Sequence, residues 1–152
     1  MSFQVRIGKT STNASSGSGT AGTDYVELPI SSTYKTTSAT LVNNSRNAQG
    51  DFVGTVVGKP KRKIEMSWRV IGISDYSTLA KFFNANFVFY AYYFDMDDNA
   101  WETREFYVSD RVADTLKNEQ WTQSTGVGGG IAPKHIENFK ISLIDTGKVK
   151  SY

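Results

Sequence analysis

The sequence predicts a mainly β protein: an antiparallel β-sandwich or small barrel with one flanking α-helix, at about residues 75–84, and long loops. Three observations predict it. Residues 61–71 alternate with a period of two, Ile64, Met66, Trp68 and Val70 against Lys63, Glu65, Ser67 and Arg69, the pattern of a half-buried antiparallel strand. Aromatic residues make up 13% of the chain, Ser, Thr, Gly and Asn are abundant, and only three prolines occur, a composition that favours strands joined by polar connections. A single segment carries apolar residues at helical spacing: Tyr76, Leu79, Phe82 and Phe83.

The other elements follow in order. Phe3, Val5 and Ile7 alternate with Gln4 and Arg6 as a short amphipathic strand. Residues 9–24 are nearly all Ser, Thr, Gly, Ala and Asn and read as a flexible arm. Tyr25 to Ile30 is a second short strand. Residues 31–55 form a long polar loop with weak strand character near Ala39 to Val42. In the predicted helix, Ser74 is the expected cap and Asp75 sits at the positive end. Phe87 to Phe94 is apolar on both faces, which predicts a central strand covered on both sides, by the helix and by a second sheet or subunit. Asp95 to Asn99 is a turn, and Trp101 to Ser109 returns as the hairpin partner. Residues 112–134 form a third long loop. His135 to Ile144 closes the fold, with Ile136, Phe139, Ile141, Leu143 and Ile144 as core candidates.

A chain of 152 residues is expected to form one domain, 1–152, with a core large enough to stand without staples. It has no cysteine, so disulfides and thiolate metal sites are excluded. Residues 1–8 lack the pattern of a signal peptide, and the longest apolar run is too short to cross a bilayer as a helix. The expectation is a soluble protein with no membrane partner. A net charge of +2 is far from the basic density of a dedicated nucleic-acid binder.

Candidate chemistry fails at identifiable positions. His135 is the only histidine, with no second His and no Cys to complete a zinc or catalytic set. Asp95, Asp97 and Asn99 have the spacing of a calcium loop, but Ala100 replaces its glycine and Phe106 its terminal glutamate. Gly54 to Pro60 is one residue short of a phosphate loop, and Pro60 stands where Ser or Thr is needed. The glycines at 126 and 128–130 lack the strand–glycine–helix setting of a dinucleotide site. No catalytic residue, metal or cofactor is expected, and the chain does not read as an enzyme. Lys59, Lys61, Arg62 and Lys63 form one basic cluster, expected as a solvated or inter-subunit patch, or as a contact to passing DNA. Trp121 is isolated in a polar loop and is expected to anchor either that loop or a neighbouring chain.

Long loops inside a compact domain are usually functional. Here they hold Ser, Thr, Asn, Gly and Gln rather than acids, bases or ligands, which suits contacts between copies of one chain. The runs Asn44-Ser45-Arg46-Asn47-Ala48-Gln49-Gly50-Asp51, Val57-Gly58-Lys59, Lys63-Ile64-Glu65-Met66-Ser67-Trp68, Phe106-Tyr107-Val108-Ser109-Asp110-Arg111 and Phe139-Lys140-Ile141-Ser142-Leu143-Ile144 resemble a family of small tail-associated proteins in phages and prophages of Gram-positive bacteria. The element order also resembles phage tail tubes and distal hub proteins. The resemblance implies a virion component made in the host cytoplasm, a six-fold ring of copies, other tail proteins as partners, and DNA passing in a lumen. The mildly basic charge leans toward a hub over a tube. Expected subunit-interface residues are Arg46, Asn47, Phe52, Lys59, Lys61, Arg62, Arg111 and Trp121. The alternatives are a carbohydrate- or receptor-binding module at a tail tip, and a head–tail connector or terminator.

Overall fold

The computed structural model describes residues 3–39, 42–46, 52–56, 61–109, 111–123 and 130–147, with backbone pairing alone at 39, 42–46, 52–56 and 123. In chain order the elements are β1 (Val5–Gly8), α1 (Ser11–Ser16), β2 (Tyr25–Glu27), β3 (Thr33–Ala39), β4 (Val42–Arg46), β5 (Phe52–Val56), β6 (Lys61–Gly72) and α2 (Ile73–Ala85). They continue with β7 (Val88–Asp95), β8 (Ala100–Val108), β9 (Val112–Thr115), β10 (Thr122–Gln123), β11 (Ile131–Ala132) and β12 (His135–Asp145).

Eight strands form one antiparallel sheet in the order β2-β1-β7-β8-β12-β6-β3, with β9 also paired to β12. β6 runs along one side of β12, while β8 and β9 share the other, at residues 143–145 and 136–140. The edge strands β2 and β3 are consecutive in sequence and joined only by residues 28–32. So short a link requires the sheet to curl until its edges approach. The link bridges them: Leu28 N donates to Val5 O at 3.0 Å, and Ser32 N to Ser67 O at 2.7 Å. The Trp68 indole donates to Pro29 O at 3.0 Å. The mainly β class with a flanking helix is therefore correct, in the form of one curled sheet. No pairing joins β2 to β3, so the barrel is not closed.

The concave face holds one apolar cluster, from Val5 and Ile7 through Ile64, Met66 and Trp68 to Phe89, Phe106, Phe139 and Leu143. α2 adds Leu79, Phe82 and Phe83 to it, the residues predicted from their spacing together with a half-buried Tyr76. Its N-cap is Gly72 rather than Ser74, with no side-chain cap, because the helix begins two residues earlier than the polar signal implies. Asn86 ends it, its amide N and its Nδ2 both donating to Phe82 O.

The structure corrects six expectations. Residues 9–24 are not an unstructured arm: α1 forms there, capped by Thr10 and closed by Gly17 in the left-handed conformation. Arg6 holds it to the convex side of β1 by donating from Nη1 to Ala14 O and Ser15 O. Residues 31–55 contain β3, β4 and β5, and residues 112–134 contain β9, β10 and β11, because Thr- and Val-rich polar stretches serve as well in exposed strands as in loops. Val70 is 49% exposed and Ile71 takes its place in the core. The cause lies across the ladder at Asn138, whose φ of 55° turns β12 by one position, so β6 and β12 change faces together while keeping register. Phe3 joins the convex side rather than the core, its ring against Tyr92 and Trp101. β7, expected to be covered on both faces, leaves Val88 and Phe94 each 37% exposed on its convex side.

Candidate functional site

Near the β7–β8 turn the concave face ceases to be apolar. The rows Phe89, Ala91, Tyr93 on β7 and Ile64, Met66, Trp68 on β6 end in Asp95 and Arg62, and those of β8 and β12 end in Arg104 and Asp145. All four are buried. Asp95 Oδ2 accepts from Arg62 Nε at 2.8 Å and from the Tyr93 hydroxyl at 3.2 Å. Its Oδ1 accepts from the backbone N–H of Asp97 at 3.0 Å and of Asp98 at 3.4 Å, shaping the turn. Asp145 Oδ2 accepts from Arg104 Nη1 at 3.1 Å and from Arg62 N at 3.3 Å, and its Oδ1 from Gly147 N at 2.8 Å. Among the described residues no buried side-chain polar atom lacks a partner, so the charges inside the fold are matched.

Electrostatics follows the geometry. Burial opposes ionisation of Asp95, but the hydrogen bond and charge of Arg62 outweigh it and hold the carboxyl below its ordinary value. Glu102 lies at the edge of this layer, where burial, a hydrogen bond with Asp98 and the charge of Asp95 push it up to about 7. Burial likewise pushes the Tyr93 hydroxyl far up, keeping it a neutral donor. Asp95, Asp98 and Glu102 each offer an oxygen within 4.8 Å of the others. Arg62 and Arg104 already supply the positive charge there, at 2.8 Å from Asp95 and 3.3 Å from Glu102.

Above this layer the convex side of β7 and β8 presents aromatic side chains. Tyr92 and Trp101 stack at 5.0 Å, with Phe3 and Phe94 edge-on to the indole. Phe3, Gln4, Tyr34, Phe94, Met96 and Trp101 line a groove of about 250 Å³. Met96 is 55% and Trp101 44% exposed. Asp97 and Asp98, in the adjoining turn, keep half or more of their side chains in solvent and lie 3.9 and 3.8 Å from Arg62 Nη2. The groove itself offers apolar contact. The expected Asp95–Asn99 turn is present, with Glu102 brought to it by the hairpin.

The expected interface residues are scattered. Arg62 is buried within its own chain, because its even position in β6 faces inward with Ile64 and Met66. Lys61 opens β6 opposite Ala39. Arg111 clasps the end of α2, donating to Ala80 O and Asn84 Oδ1 and lying over the Phe83 ring. Trp121 is 41% exposed just before β10. Arg46 and Phe52 are register partners at one end of the β4–β5 ribbon. Asn47, Lys59, residues 57–60 of the phosphate-loop-like run Gly54 to Pro60, and the glycines at 126 and 128–129 lie outside the described residues. His135 is exposed and pairs through Nδ1 with Glu119 at 2.6 Å, an acid that sequence distance concealed. The aromatic groove was missed because Phe3, Tyr34 and Trp101 come from three distant parts of the chain, ahead of β1, on β3 and on β8. The one available signal was the apolar convex side of β7.

The chain matches no known family model and no curated protein. Among the described residues no helix is long and apolar enough to cross a membrane.

Proposed function

We propose that this protein is a non-enzymatic structural subunit of a bacteriophage tail, a tube or distal hub ring, that assembles with copies of itself through sheet edges and projecting hairpins. The observation that carries the reading is the pairing left open. β3 is a seven-residue edge strand without Pro or Gly, bonded to β6 on one side only among the described residues. Long unprotected edges are pairing templates, and natural proteins cover them. A second copy covers such an edge at little cost in new structure. The tail assignment itself draws on the sequence resemblance. It carries with it the expected partners: a six-fold ring, other tail proteins, a virion location, and DNA in the lumen.

Sedimentation velocity and electron microscopy of the purified chain test the assembly, and mass spectrometry of purified virions tests the location. Rings in solution and stoichiometric chain in tails are expected. A monomer at all concentrations, with no chain in tails, sinks the reading. A second reading, a carbohydrate- or receptor-binding module at a tail tip, draws on the 41% exposure of Trp121. Glycan binding lost in Trp121→Ala would favour it.

A further inference from the structure

A net charge of +2 conceals a division of charge within the fold. Asp95, Asp97, Asp98, Glu102 and Asp145 gather near the β7–β8 turn, around Arg62 and Arg104. On the convex side of β3, β6 and β12 cations prevail: Lys35, Lys61, Lys63, Arg69 and Lys140. Lys35 and the three β6 cations hold odd positions, opposite in face to the buried Arg62, Ile64, Met66 and Trp68, and Lys140 pairs in register with Ser67. Glu65 lies between Lys35 and Lys63, at 3.8 and 3.5 Å, so one carboxylate meets two ammonium groups. Glu137 stands at the far end, paired in register with Asp114. Lys61, Arg69 and Lys140 make no ion pair among the described residues. Thr33, Thr37, Ser67 and Ser142 stand among these cations. Lysine, arginine and hydroxyl side chains are the usual donors to phosphate oxygens.

The same side carries a stacking surface. Thr37, Lys63, Ile144 and Tyr107 pair in succession across β3, β6, β12 and β8, which puts Tyr107 two strands, about 10 Å, from Lys63. The Tyr107 ring stacks on Phe87 at 6.0 Å and 27°, and Phe87 is 74% exposed. An aromatic face in line with cations suits a charged backbone whose bases are free to stack. A duplex gains nothing from Phe87, because its bases already stack on one another. An acidic polypeptide matches the charge but brings no bases. We propose that the convex side of β3, β6 and β12 binds single-stranded nucleic acid, with phosphates on Lys35, Lys63, Arg69 and Lys140 and a base on Phe87. The inference needs neither the tail assignment nor self-assembly. A second copy paired at the β3 edge would continue this face rather than cover it.

Fluorescence anisotropy of a labelled oligothymidylate, titrated with the full-length chain at several salt concentrations, tests it. Binding is expected at low salt, weakening linearly as the logarithm of salt rises. Lys140→Gln should reduce the magnitude of that slope by about 0.7, the share of one phosphate on a single strand. Phe87→Ala should weaken binding about tenfold and leave the slope unchanged, since stacking releases no counterion. Both side chains are exposed, so the circular dichroism of each variant should match wild type. Lys117→Gln, an exposed lysine in the loop after β9 and off this face, should change neither affinity nor slope. Absence of binding at low salt overturns the proposal. So does wild-type affinity in Phe87→Ala, or binding of polyglutamate or of a DNA duplex as tight as that of the oligothymidylate. None of these outcomes touches the assembly reading, which is measured without nucleic acid.

Discussion

At the residue scale the buried charged layer has the most to lose from a single change. Asp145 holds Arg104 and the start of β6 at once, through Arg104 Nη1 and Arg62 N. Asp145→Ala removes an acceptor from a buried guanidinium that keeps Glu102 at 3.3 Å, and from Arg62 N, which costs about 1–3 kcal/mol. Urea denaturation is expected to show a lower midpoint with an unchanged slope. Glu102 contributes with the opposite sign to most surface carboxylates. Its folded value, about 7, lies above the ordinary 4.5. The folded state therefore holds a proton that the unfolded state has released. Stability from this group is fully present below pH 4.5 and falls as pH rises to about 7. Glu102→Gln should remove that slope, read from denaturation midpoints at pH 5 and pH 8. A slope that survives the substitution would assign it to another group. Parity along the strands is a signal for this layer, since Asp95, Arg62 and Asp145 continue rows of core residues. The run of basic residues around Arg62 suggested a surface patch instead, because counting charge ignores which face a residue takes. Which arginine meets which aspartate depends on strand register, which the sequence does not spell out.

At the element scale, tertiary contact made structure where local signals were weak. α1 is six residues long, too short to persist alone, and its sequence, Ser11-Thr-Asn-Ala-Ser-Ser16, has little helical preference. It forms because Gly8 lets it lie against the sheet. A Cβ at Gly8 would meet Ala14 N at 2.5 Å and Asn13 C at 2.9 Å, backbone that cannot give way cheaply. Gly8→Ala is therefore expected to cost about 1–3 kcal/mol by overpacking and to expose residues 9–24 to proteolysis. Thermal melting together with limited trypsin digestion at Lys9 checks it, and wild-type stability would discard this account of the helix. Leu79, Phe82 and Phe83 gave α2 a periodic signal, so that helix was readable. The joint change of face at Val70 and Asn138 was not, because a left-handed residue in one strand has no trace in the partner's alternation.

At the scale of the whole molecule, an open sheet is held curled by a strap. Residues 28–32 reach β1 at one end and β6 at the other, and the strap's contacts are mostly polar. Ser31 N and Oγ both donate to Gln4 Oε1, at 2.9 and 2.8 Å, and Arg69 N donates to Ser32 Oγ at 2.9 Å. Leu28 of the strap is buried in the core, and Trp68 ties core to strap, donating to Pro29 O while its ring stacks on Phe139 at 5.2 Å. The edges β2 and β3 are not paired with each other, so the strap is what links them. Trp68→Phe keeps a ring in the core but removes the donor and part of the ring's contact area. The loss is expected to be about 1–3 kcal/mol, from an unmet carbonyl and a small void. Its distinctive sign would be regional. Amide hydrogen exchange should quicken in β2, β3 and residues 28–32 before it quickens in β7, β8 and β12, which lie inside the sheet order with neighbours on both sides. Uniform acceleration across all strands would mean that the curl is fixed by the core alone and that the strap merely follows it.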